Sequence, residues 1–313
     1  MYNLTSLNNK DEFRPLFNIH ITAIILTFNE EINVETCLQS INGWCQEIFI
    51  VDSGSTDCTL QICKKYTEQI YKHTFVNSAS QWDWALKNLP IKTEWVLPLD
   101  ADHIITERLQ HQLIEAASNP EPSIDGYYAT HRYFFLGKRI RGFKPYSLRL
   151  FRLGKTRLDR SEMVDFRFLV EGKTKNLTGE ILEINKKELS IDFWIDKHQV
   201  FSSRMAVEEI LRTQAQLNWS FKPNLLGNYD SRIIWLKNRW YHMPLYLRPF
   251  IYFIYRYFIR LAFLDGTTGF TYTFLQAFWF RYLIDLKIGK LRRQLDQGVV
   301  TLEQLQQEFS PNF

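Results

Sequence analysis

Two aspartates separated by one residue follow a predicted buried strand and could bind a divalent cation. Asp100-Ala101-Asp102 comes directly after the apolar run 95–99. Carboxylate oxygens are the ligands that Mg²⁺ and Mn²⁺ prefer. A cation held there could neutralise a diphosphate and help it to leave, as a Lewis acid does. A solvated acidic turn is the alternative, but a second acidic turn at a neighbouring strand end favours the cation site.

That second acidic turn begins with Asp52, which closes the apolar run 47–51 and starts the sequence Asp-Ser-Gly-Ser-Thr-Asp. A carboxylate at this point could accept a hydrogen bond from the imide N–H of uracil or from the N–H donors of guanine. The alternative is a Ser/Gly turn in which Thr56 or Asp57 caps the next helix. We expect both, with Asp57 in the structural role and Asp52 facing a nucleotide.

A third polar group, Thr27, Asn29 and Glu30, follows the apolar run 21–26. These residues could border a nucleoside. Thr27 and Glu30 also have the S/T-x-x-E spacing of a helix capping box, which requires no ligand. The sequence leaves both interpretations open.

Apolar runs alternate with helical patterns through the first hundred residues, which predicts an open, mainly parallel α/β sheet. The predicted strands are 21–26, 47–51, 69–73 and 94–99, with helices from 29 to about 41 and from 78 to 88. Ligands of such sheets bind outside the carboxyl ends of the strands, where the three polar groups fall. Short strands over 126–191 predict an antiparallel extension, and residues 196–220 read as a helix.

Composition excludes several classes of protein. Hydrophobic residues make up 45% and charged residues 23% of 313, as in ordinary globular chains. A formal net charge of +4 is too small to indicate nucleic-acid binding. The four cysteines have no C-x-x-C spacing, so we expect reduced thiols, with Cys37 and Cys63 on buried helix faces. No P-loop, G-x-G-x-x-G or G-x-S-x-G motif is present.

The sequence also bears on location. Residues 1–18 are polar and read as a leader without a secretory signal, and no run of 18 apolar residues is present. We therefore expect a protein that works on the cytosolic side.

The runs I-T-A-I-I-L-T-F-N-E-E, I-F-I-V-D-S-G-S-T-D and E-W-V-L-P-L-D-A-D together resemble the second family of glycosyltransferases, above all bacterial members that build lipopolysaccharide core and exopolysaccharide. The likeness extends over roughly residues 20–288. It implies an inverting enzyme of the GT-A fold with Mn²⁺ or Mg²⁺ and a nucleotide-sugar donor, UDP-sugar being favoured over GDP-sugar.

The resemblance also assigns roles to residues. Thr27 and Glu30 would border the nucleoside, Asp52 would pair with the base, and Asp100 would lie near ribose and diphosphate. Asp102 would hold the cation, with Asp100 beside it, and Asn29 and Ala101 are predicted to contact the donor at the same site. Asp83 stands where the family often has a polar residue near the nucleotide.

Inversion requires a general base for the acceptor hydroxyl. Similar sequences often read Asp-Glu-His before a V-E-G stretch, whereas this chain has Asp165-Phe166-Arg167. Asp165 is the predicted base, and Glu162 is the alternative. Elsewhere, His198 either contacts a phosphate or is a hydrogen-bonded side chain at a helix start. Arg149 and Arg152 could be solvated or could face an anionic acceptor lipid, and the sequence favours solvated side chains.

The last quarter of the chain is rich in aromatic and basic residues. A helix is predicted after Pro249, with Arg256 and Arg260 on one face, and a second helix over about 269–288 after a break at Asp265-Gly266. Aromatic and basic amphipathic helices are typical of attachment to a bilayer interface. Packing on the catalytic domain or on a second subunit is the alternative.

The sequence thus predicts a leader (1–18), a GT-A catalytic domain (19–220) and a helical, membrane-proximal segment (221–313). The expected reaction is transfer of a hexose from a UDP- or GDP-sugar to a hydroxyl of a cell-surface glycan or lipid-linked precursor, at the cytosolic face of the plasma membrane. A noncatalytic membrane scaffold and a polyisoprenyl-phosphate glycosyltransferase are alternatives. A nucleotidyltransferase is disfavoured because no phosphate loop follows the first strand. A homo-oligomer is left open, and no nucleic-acid partner is expected.

Overall fold

A computed structural model describes residues 19–143, 145–159, 167–214, 217–219, 222–226 and 229–309. The chain divides into two compact units. The first comprises the described residues of Met1–Arg132, Pro145–Arg157 and Leu169–Lys186. The second comprises those of Tyr133–Lys144, Leu158–Phe168 and Lys187–Phe313. The predicted boundary at residue 220 stays a prediction.

The strands and helices follow one another in an order that begins as alternating β and α and ends as helices. The strands are β1 Ile21–Thr27, β2 Glu47–Asp52, β3 Ile70–Lys72, β4 Trp95–Asp100, β5 His103–Ile105, β6 Ile124–Phe135, β7 Lys138–Arg139, β8 Tyr146–Arg152, β9 Thr156–Asp159, β10 Arg167–Val170 and β11 Lys173–Glu183. The α-helices are α1 Val34–Ile41, α2 Thr59–Cys63, α3 Ser78–Asn88, α4 Glu107–Ser118, α5 Ile191–Thr213, α6 Tyr229–Tyr241, α7 Arg248–Ile254, α8 Gly266–Thr273, α9 Phe280–Asp296 and α10 Leu302–Phe309.

The main sheet has the order β3-β2-β1-β4-β8-β6-β11-β5. Strands β3, β2, β1 and β4 are parallel, whereas β8 is antiparallel to β4 and β6 is antiparallel to β8. The sheet is therefore mixed. The four predicted parallel strands and the antiparallel extension are both confirmed.

The strands of the parallel half are nearly continuous apolar runs because both of their faces are buried. Ile21, Ala23 and Ile25 on β1 belong to a core that also contains side chains of α1 and α4. Ile24, on the opposite face of the same strand, is also fully buried. Residues on both faces are thus withdrawn from water, the pattern of a sheet covered on both sides.

Two helix boundaries in the first unit show where local pattern and structure agree or differ. Helix α3 spans the predicted residues and begins with a capping box between Asn77 and Ser80. Helix α1 begins at Val34 rather than near Asn29, because Asn29 has a φ of 53° and starts a turn instead. Cys37 and Cys63 are buried on α1 and α2 as predicted, and all four cysteines are free.

The second unit is mainly helical, and its helices differ in extent from the predicted ones. Helix α5 runs from Ile191 to Thr213 instead of 196–220. Helix α8 begins at Gly266 and continues through a π-helical segment, Phe274–Trp279, into α9. A second π-helical segment, Tyr255–Ile259, extends α7. Among the described residues, none of the helices combines the length and apolar character that a membrane crossing requires.

Candidate active site

Strand register brings the predicted polar residues together at the carboxyl edge of the parallel strands. Thr27 at the end of β1 is paired with Asp52 at the end of β2. On the other side of β1, Leu26 is paired with Asp100 at the end of β4. Neighbouring strands lie about 4.8 Å apart, so the two acidic turns flank the end of β1. This is the edge at which open α/β sheets bind their ligands.

Asp52 is fully buried, and both of its carboxylate oxygens accept two hydrogen bonds. Oδ2 accepts from the backbone N–H groups of Gly54 and Ser55, both at 2.9 Å. Oδ1 accepts from the hydroxyl groups of Ser55 (2.5 Å) and Thr27 (3.1 Å). A carboxylate offers about four lone pairs, and these bonds use all four. In this structure the Asp52 carboxylate therefore fixes the turn, and a base could bind it only in place of one of these donors.

The loop after β1 is bound to the loop after β2 by further hydrogen bonds. The N–H of Asn29 donates to Ser55 Oγ (2.9 Å), and Asn29 Oδ1 accepts from the N–H of Thr56 (2.8 Å). The N–H of Glu30 donates to Thr59 Oγ1 (2.7 Å). These bonds make the two loops one preorganised platform.

The capping box proposed for Thr27 and Glu30 is wrong. Thr27 Oγ1 donates to Asp52, and Glu30 Oε2 accepts from the side-chain amide of Asn33 at 2.7 Å. Asn33 is the residue that precedes helix α1, and it makes no side-chain cap bond. Asp57, in contrast, has the expected structural role, since its Oδ1 accepts from the N–H of Thr59 at the start of α2.

An exposed aromatic residue and a buried polar network adjoin this platform, and sequence reasoning missed both. Phe28, between Thr27 and Asn29, is 55% exposed although it follows a buried strand. Gln81 on α3 is fully buried; its amide donates to Ser53 Oγ at 2.8 Å and its oxygen lies 2.5 Å from His73 Nδ1. The network connects α3 to the turns after β2 and β3. Gln81 lies 28 positions from Ser53 and 8 positions from His73, so no local sequence pattern reveals these contacts.

The two aspartates after β4 lie at the solvent edge while the residue between them is buried. Ala101 packs in the core and is 3% exposed. The side chain of Asp100 is 54% exposed, and that of Asp102 is half-buried. Burial, and then the charges of Asp102 and Asp100, raise the pKa of the Cys37 thiol well above its ordinary value. The carboxylates thus create a negative potential at an open edge, which fits a hard divalent cation. The predicted ligand contact of Ala101 could only be made by its backbone.

His103 holds the turn that carries these aspartates. Its Nδ1 accepts a hydrogen bond from the backbone N–H of Asp100 at 2.9 Å. Its ring makes an edge contact with His131, with 5.2 Å between the ring centroids. Burial, and then the charge of Arg149, lower the pKa values of both histidines well below the ordinary value, so both rings are neutral.

His103, His131 and Glu183 bring ligand atoms within 4.8 Å of one another, which resembles a metal centre. However, His131 Nε2 accepts from the guanidinium of Arg149, so the proton lies on Nδ1, 3.3 Å from Glu183 Oε2. His103 Nδ1 accepts a hydrogen bond from a backbone amide, so the single proton of this neutral ring lies on Nε2. As arranged, the cluster is a hydrogen-bonded support for the acidic turn rather than a second cation site.

The remaining predicted residues are placed as follows. Asp83 lies on α3 and forms an ion pair with Lys87 at 2.8 Å. Asp165, the predicted base, and Glu162 lie outside the described residues.

Arg149 is buried and Arg152 is half-buried, and Arg152 forms an ion pair with Asp125 at 3.2 Å. The prediction that both arginines are solvated is therefore wrong. Antiparallel pairing places both on strand β8 inside the sheet, which alternation alone could not specify.

His198 does not lie at a helix start, because α5 begins seven residues earlier. Its ring stacks on Trp194 at 3.5 Å, and Nδ1 is 2.8 Å from the Trp194 carbonyl oxygen. The side chain is buried, and burial lowers its pKa to about 4. These contacts favour the structural interpretation of this residue.

Comparison with known proteins finds a family model that matches part of the chain and relatives that align with most of it. Residues 22–171 match the family model described as Glycosyl transferase family 2. The lipopolysaccharide core biosynthesis glycosyltransferase LpsC of Rhizobium meliloti is 28% identical over 276 residues, which is 82% of this chain and 90% of that protein. An uncharacterized glycosyltransferase of Rickettsia felis is 23% identical over 88% of this chain and 90% of that protein.

Among solved structures, residues 1–349 of S. aureus TarS are 15% identical, with a TM-score of 0.41, over 90% of this chain and 92% of that chain. Because this TM-score is below 0.5, the TarS structure does not support an inference about the fold or function of this chain. The family match and the sheet described above together confirm the predicted resemblance and the GT-A fold class. Residues 22–171 carry the acidic turns and the platform, so the site lies within the matched region.

Proposed function

We propose that this chain is a metal-dependent, inverting glycosyltransferase that moves a hexose from a UDP- or GDP-sugar to a hydroxyl of a surface-glycan precursor. The observation that supports the proposal most strongly is the convergence of two acidic turns at the carboxyl edge of a family 2 domain. One turn is rigid and fully hydrogen-bonded, and the other presents carboxylates to solvent.

The rigid platform is proposed to receive the nucleoside. Thr27, Asn29 and Asp52 use their side chains to hold the platform, so their contribution is to position the groups beside them. Phe28 presents an exposed ring at this edge and is proposed to stack on the base. Glu30 is half-buried at the same loop and is proposed to border the ribose. UDP is favoured over GDP by the family resemblance.

The acidic turn is proposed to receive the diphosphate. Asp102 and Asp100 would hold Mn²⁺ or Mg²⁺, which as a Lewis acid would neutralise the leaving diphosphate. His103 fixes the backbone of Asp100, so the two carboxylates are presented by a supported turn. Asp83, which forms an ion pair with Lys87, is proposed to lie near the bound nucleotide.

The acceptor half is proposed by family analogy. Asp165 would take the proton of the acceptor hydroxyl as the oxygen attacks the anomeric carbon, and the bond to the diphosphate breaks. The similar protein LpsC of Rhizobium meliloti is named as a glycosyltransferase of lipopolysaccharide core biosynthesis. A glycan or lipid-linked acceptor at the cytosolic face of the plasma membrane is proposed for this chain on that basis.

The proposal can be tested by turnover of a panel of UDP-, GDP-, CDP- and TDP-sugars with Mn²⁺. Released nucleoside diphosphate and labelled glycan are measured with truncated lipopolysaccharide as acceptor. We expect one donor to be consumed, and Asp102→Asn to reduce its turnover at least 100-fold, with Asp192→Asn as a control on α5. A product that requires polyisoprenyl phosphate instead would change the acceptor class. No turnover of any donor with any acceptor would contradict the proposal.

A further inference from the structure

The second unit exposes a continuous apolar surface where α7, its π-helical extension and α8 adjoin. We call this the aromatic surface. Its residues are each at least 40% exposed: Leu247, Phe250, Ile251, Ile254, Tyr255, Phe258, Ile259, Leu261, Phe263, Leu264, Phe270 and Phe274. Half-exposed aromatic and aliphatic side chains in this number present on the order of 1,000 Å², about twice the area of the largest apolar patch on a typical soluble monomer.

Ring contacts show that these side chains form one surface rather than scattered positions. Phe270 packs against Phe274 with 6.1 Å between ring centroids, and Phe274 packs against Phe278 at 5.4 Å. Tyr257 connects Phe270 (5.7 Å) to Phe258 (5.1 Å). The exposed rings of Phe258, Phe270 and Phe274 are therefore joined by ring contacts, some of them through Tyr257.

The backbone is specialised to present these side chains. Leu261 has a φ of 58°, a conformation uncommon for residues other than glycine, and its side chain is 49% exposed. Gly269 permits a close approach, because a Cβ at that position would lie 2.1 Å from the carbonyl oxygen of Ala262. Leu261 thus contributes an exposed side chain to the aromatic surface from a left-handed backbone conformation.

The charges around the aromatic surface are positive. Between Tyr241 and Ile284 the sequence contains a single acidic residue, Asp265, whose side chain is 5% exposed and pairs with Arg141 at 3.3 Å. Arg260 is exposed beside Leu261. The predicted shared face of Arg256 and Arg260 is wrong: the π-helical segment ends before Arg260, while Arg256 is buried over Phe143 at 4.4 Å.

A neighbouring hairpin adds further cations within the same unit. Strands β6 and β7 pair through Phe134 and Arg139, and Leu136 at the turn is 39% exposed. The hairpin lies against residue 260, because a Cβ at Gly142 would be 3.2 Å from the Arg260 carbonyl oxygen. Lys138, Arg139 and Arg141 are exposed on it.

We propose that the aromatic surface and this cationic hairpin bind an anionic lipid bilayer, with the apolar side chains entering the interfacial region. Exposed aliphatic and aromatic residues with flanking cations, and no exposed acidic residue between Tyr241 and Ile284, match the chemistry of that interface. A second copy of this surface would place the same cations against each other, which disfavours a symmetric dimer. The inference deepens the proposed function, because it says how the enzyme would reach a lipid-linked acceptor.

Cosedimentation of the full chain with vesicles tests this inference. Vesicles of neutral phosphatidylcholine are compared with vesicles that contain 30% phosphatidylglycerol (about one anionic lipid in three), without any nucleotide. We expect preferential binding to the anionic vesicles. Ile259→Glu and Phe258→Glu should each reduce the bound fraction at least tenfold. Leu226→Glu is the matched control, because Leu226 is 93% exposed outside this surface, and it should bind as the wild type does.

Two further variants separate the possible failures. Lys138→Glu combined with Arg260→Glu should weaken binding to anionic vesicles without changing far-ultraviolet circular dichroism. Asp102→Asn should bind vesicles normally even though it lacks turnover, so failure of the donor site is distinguishable from failure of this surface. Absence of binding by the folded wild type would overturn the inference. So would a dimer, measured by light scattering, that Phe258→Glu dissociates.

Discussion

At the residue scale, most polar side chains of the predicted donor site already form hydrogen bonds within the protein. The obvious polar candidates Thr27, Asn29 and Asp52 hold the two loops together. Contact with a nucleotide then depends on groups that the platform presents, among them the ring of Phe28, which is 55% exposed. Residue type and spacing identified the platform, but only the hydrogen bonds show which of its members are already engaged.

Phe28→Ala should weaken nucleotide binding about 10- to 100-fold, because stacking of a base on an aromatic ring contributes roughly 1–3 kcal/mol. Titration calorimetry with UDP and Mn²⁺ measures the change. Leu153→Ala is the control, since Leu153 is also an exposed apolar residue (37%) but follows β8 at the opposite edge of the sheet. Equal affinities of wild type and Phe28→Ala would refute the stacking role.

His198 should make the stability of the second unit depend on pH. Burial lowers its pKa to about 4, below the ordinary value of 6.5, so the unfolded chain takes up a proton before the folded chain does. The stabilisation is complete above pH 6.5 and is lost as pH falls towards 4, by about 2–3 kcal/mol. Urea unfolding of His198→Phe, followed by tryptophan fluorescence between pH 4.5 and 7.5, should lack this loss. Parallel pH profiles for the two proteins would contradict the assignment.

At the scale of elements, a buried ionic cluster joins α5, α7 and α9. Arg248 is fully buried and lies 2.8 Å from Glu209 and 2.5 Å from Asp285. Two carboxylates share one guanidinium. Burial raises the pKa of Glu209 to about 7, Arg248 opposes the shift and Asp285 adds to it.

Arg248→Met should therefore destabilise the second unit by about 3–5 kcal/mol, because it leaves two buried carboxylates without their cation. Chemical denaturation measures the loss. Arg239→Met, which removes an exposed arginine from α6, is the control and should change stability by less than about 0.5 kcal/mol. Glu209→Gln in the Arg248→Met background should restore part of the stability. A loss equal to that of the control would show that the cluster contributes little.

The elements also show what sequence pattern can and cannot establish. Buried parallel strands such as β1 and β4 are recognised because each is a continuous apolar run bounded by polar turns. The start of α5, the π-helical segments and the network of His103, His131 and Arg149 were not predicted. The contacts of the histidine network join residues 18 and 28 positions apart, and such contacts are set by strand pairing rather than by local spacing.

At the scale of the whole molecule, the two proposed activities fall in different units. The donor platform and acidic turn lie in the first unit, and the aromatic surface lies in the second. Aromatic content near the C-terminus was visible in the sequence, but which rings are exposed was not. The predicted face with Arg256 failed because a π-helical turn changes the helical period.

Hydrogen exchange should resolve these two activities. A nucleoside diphosphate with Mn²⁺ should slow amide exchange at residues 27–31, 52–59 and 100–104, because binding opposes local opening. Anionic vesicles should slow exchange at 247–274 and leave the first set unchanged. If the nucleotide slowed exchange in α6 instead of in the three turns, the donor would bind in the second unit, which would contradict the proposed site.

The central claim is that the two acidic turns form a metal-dependent nucleotide site, and calorimetry tests it most directly. UDP, GDP, CDP and TDP are titrated into the wild type and Asp102→Ala, each with and without Mn²⁺. We expect one nucleotide to bind clearly best, and its affinity to fall at least tenfold when either Mn²⁺ or Asp102 is removed. Asp192→Ala should bind as the wild type does. Folded wild type that binds none of the four nucleotides under either condition would contradict the claim.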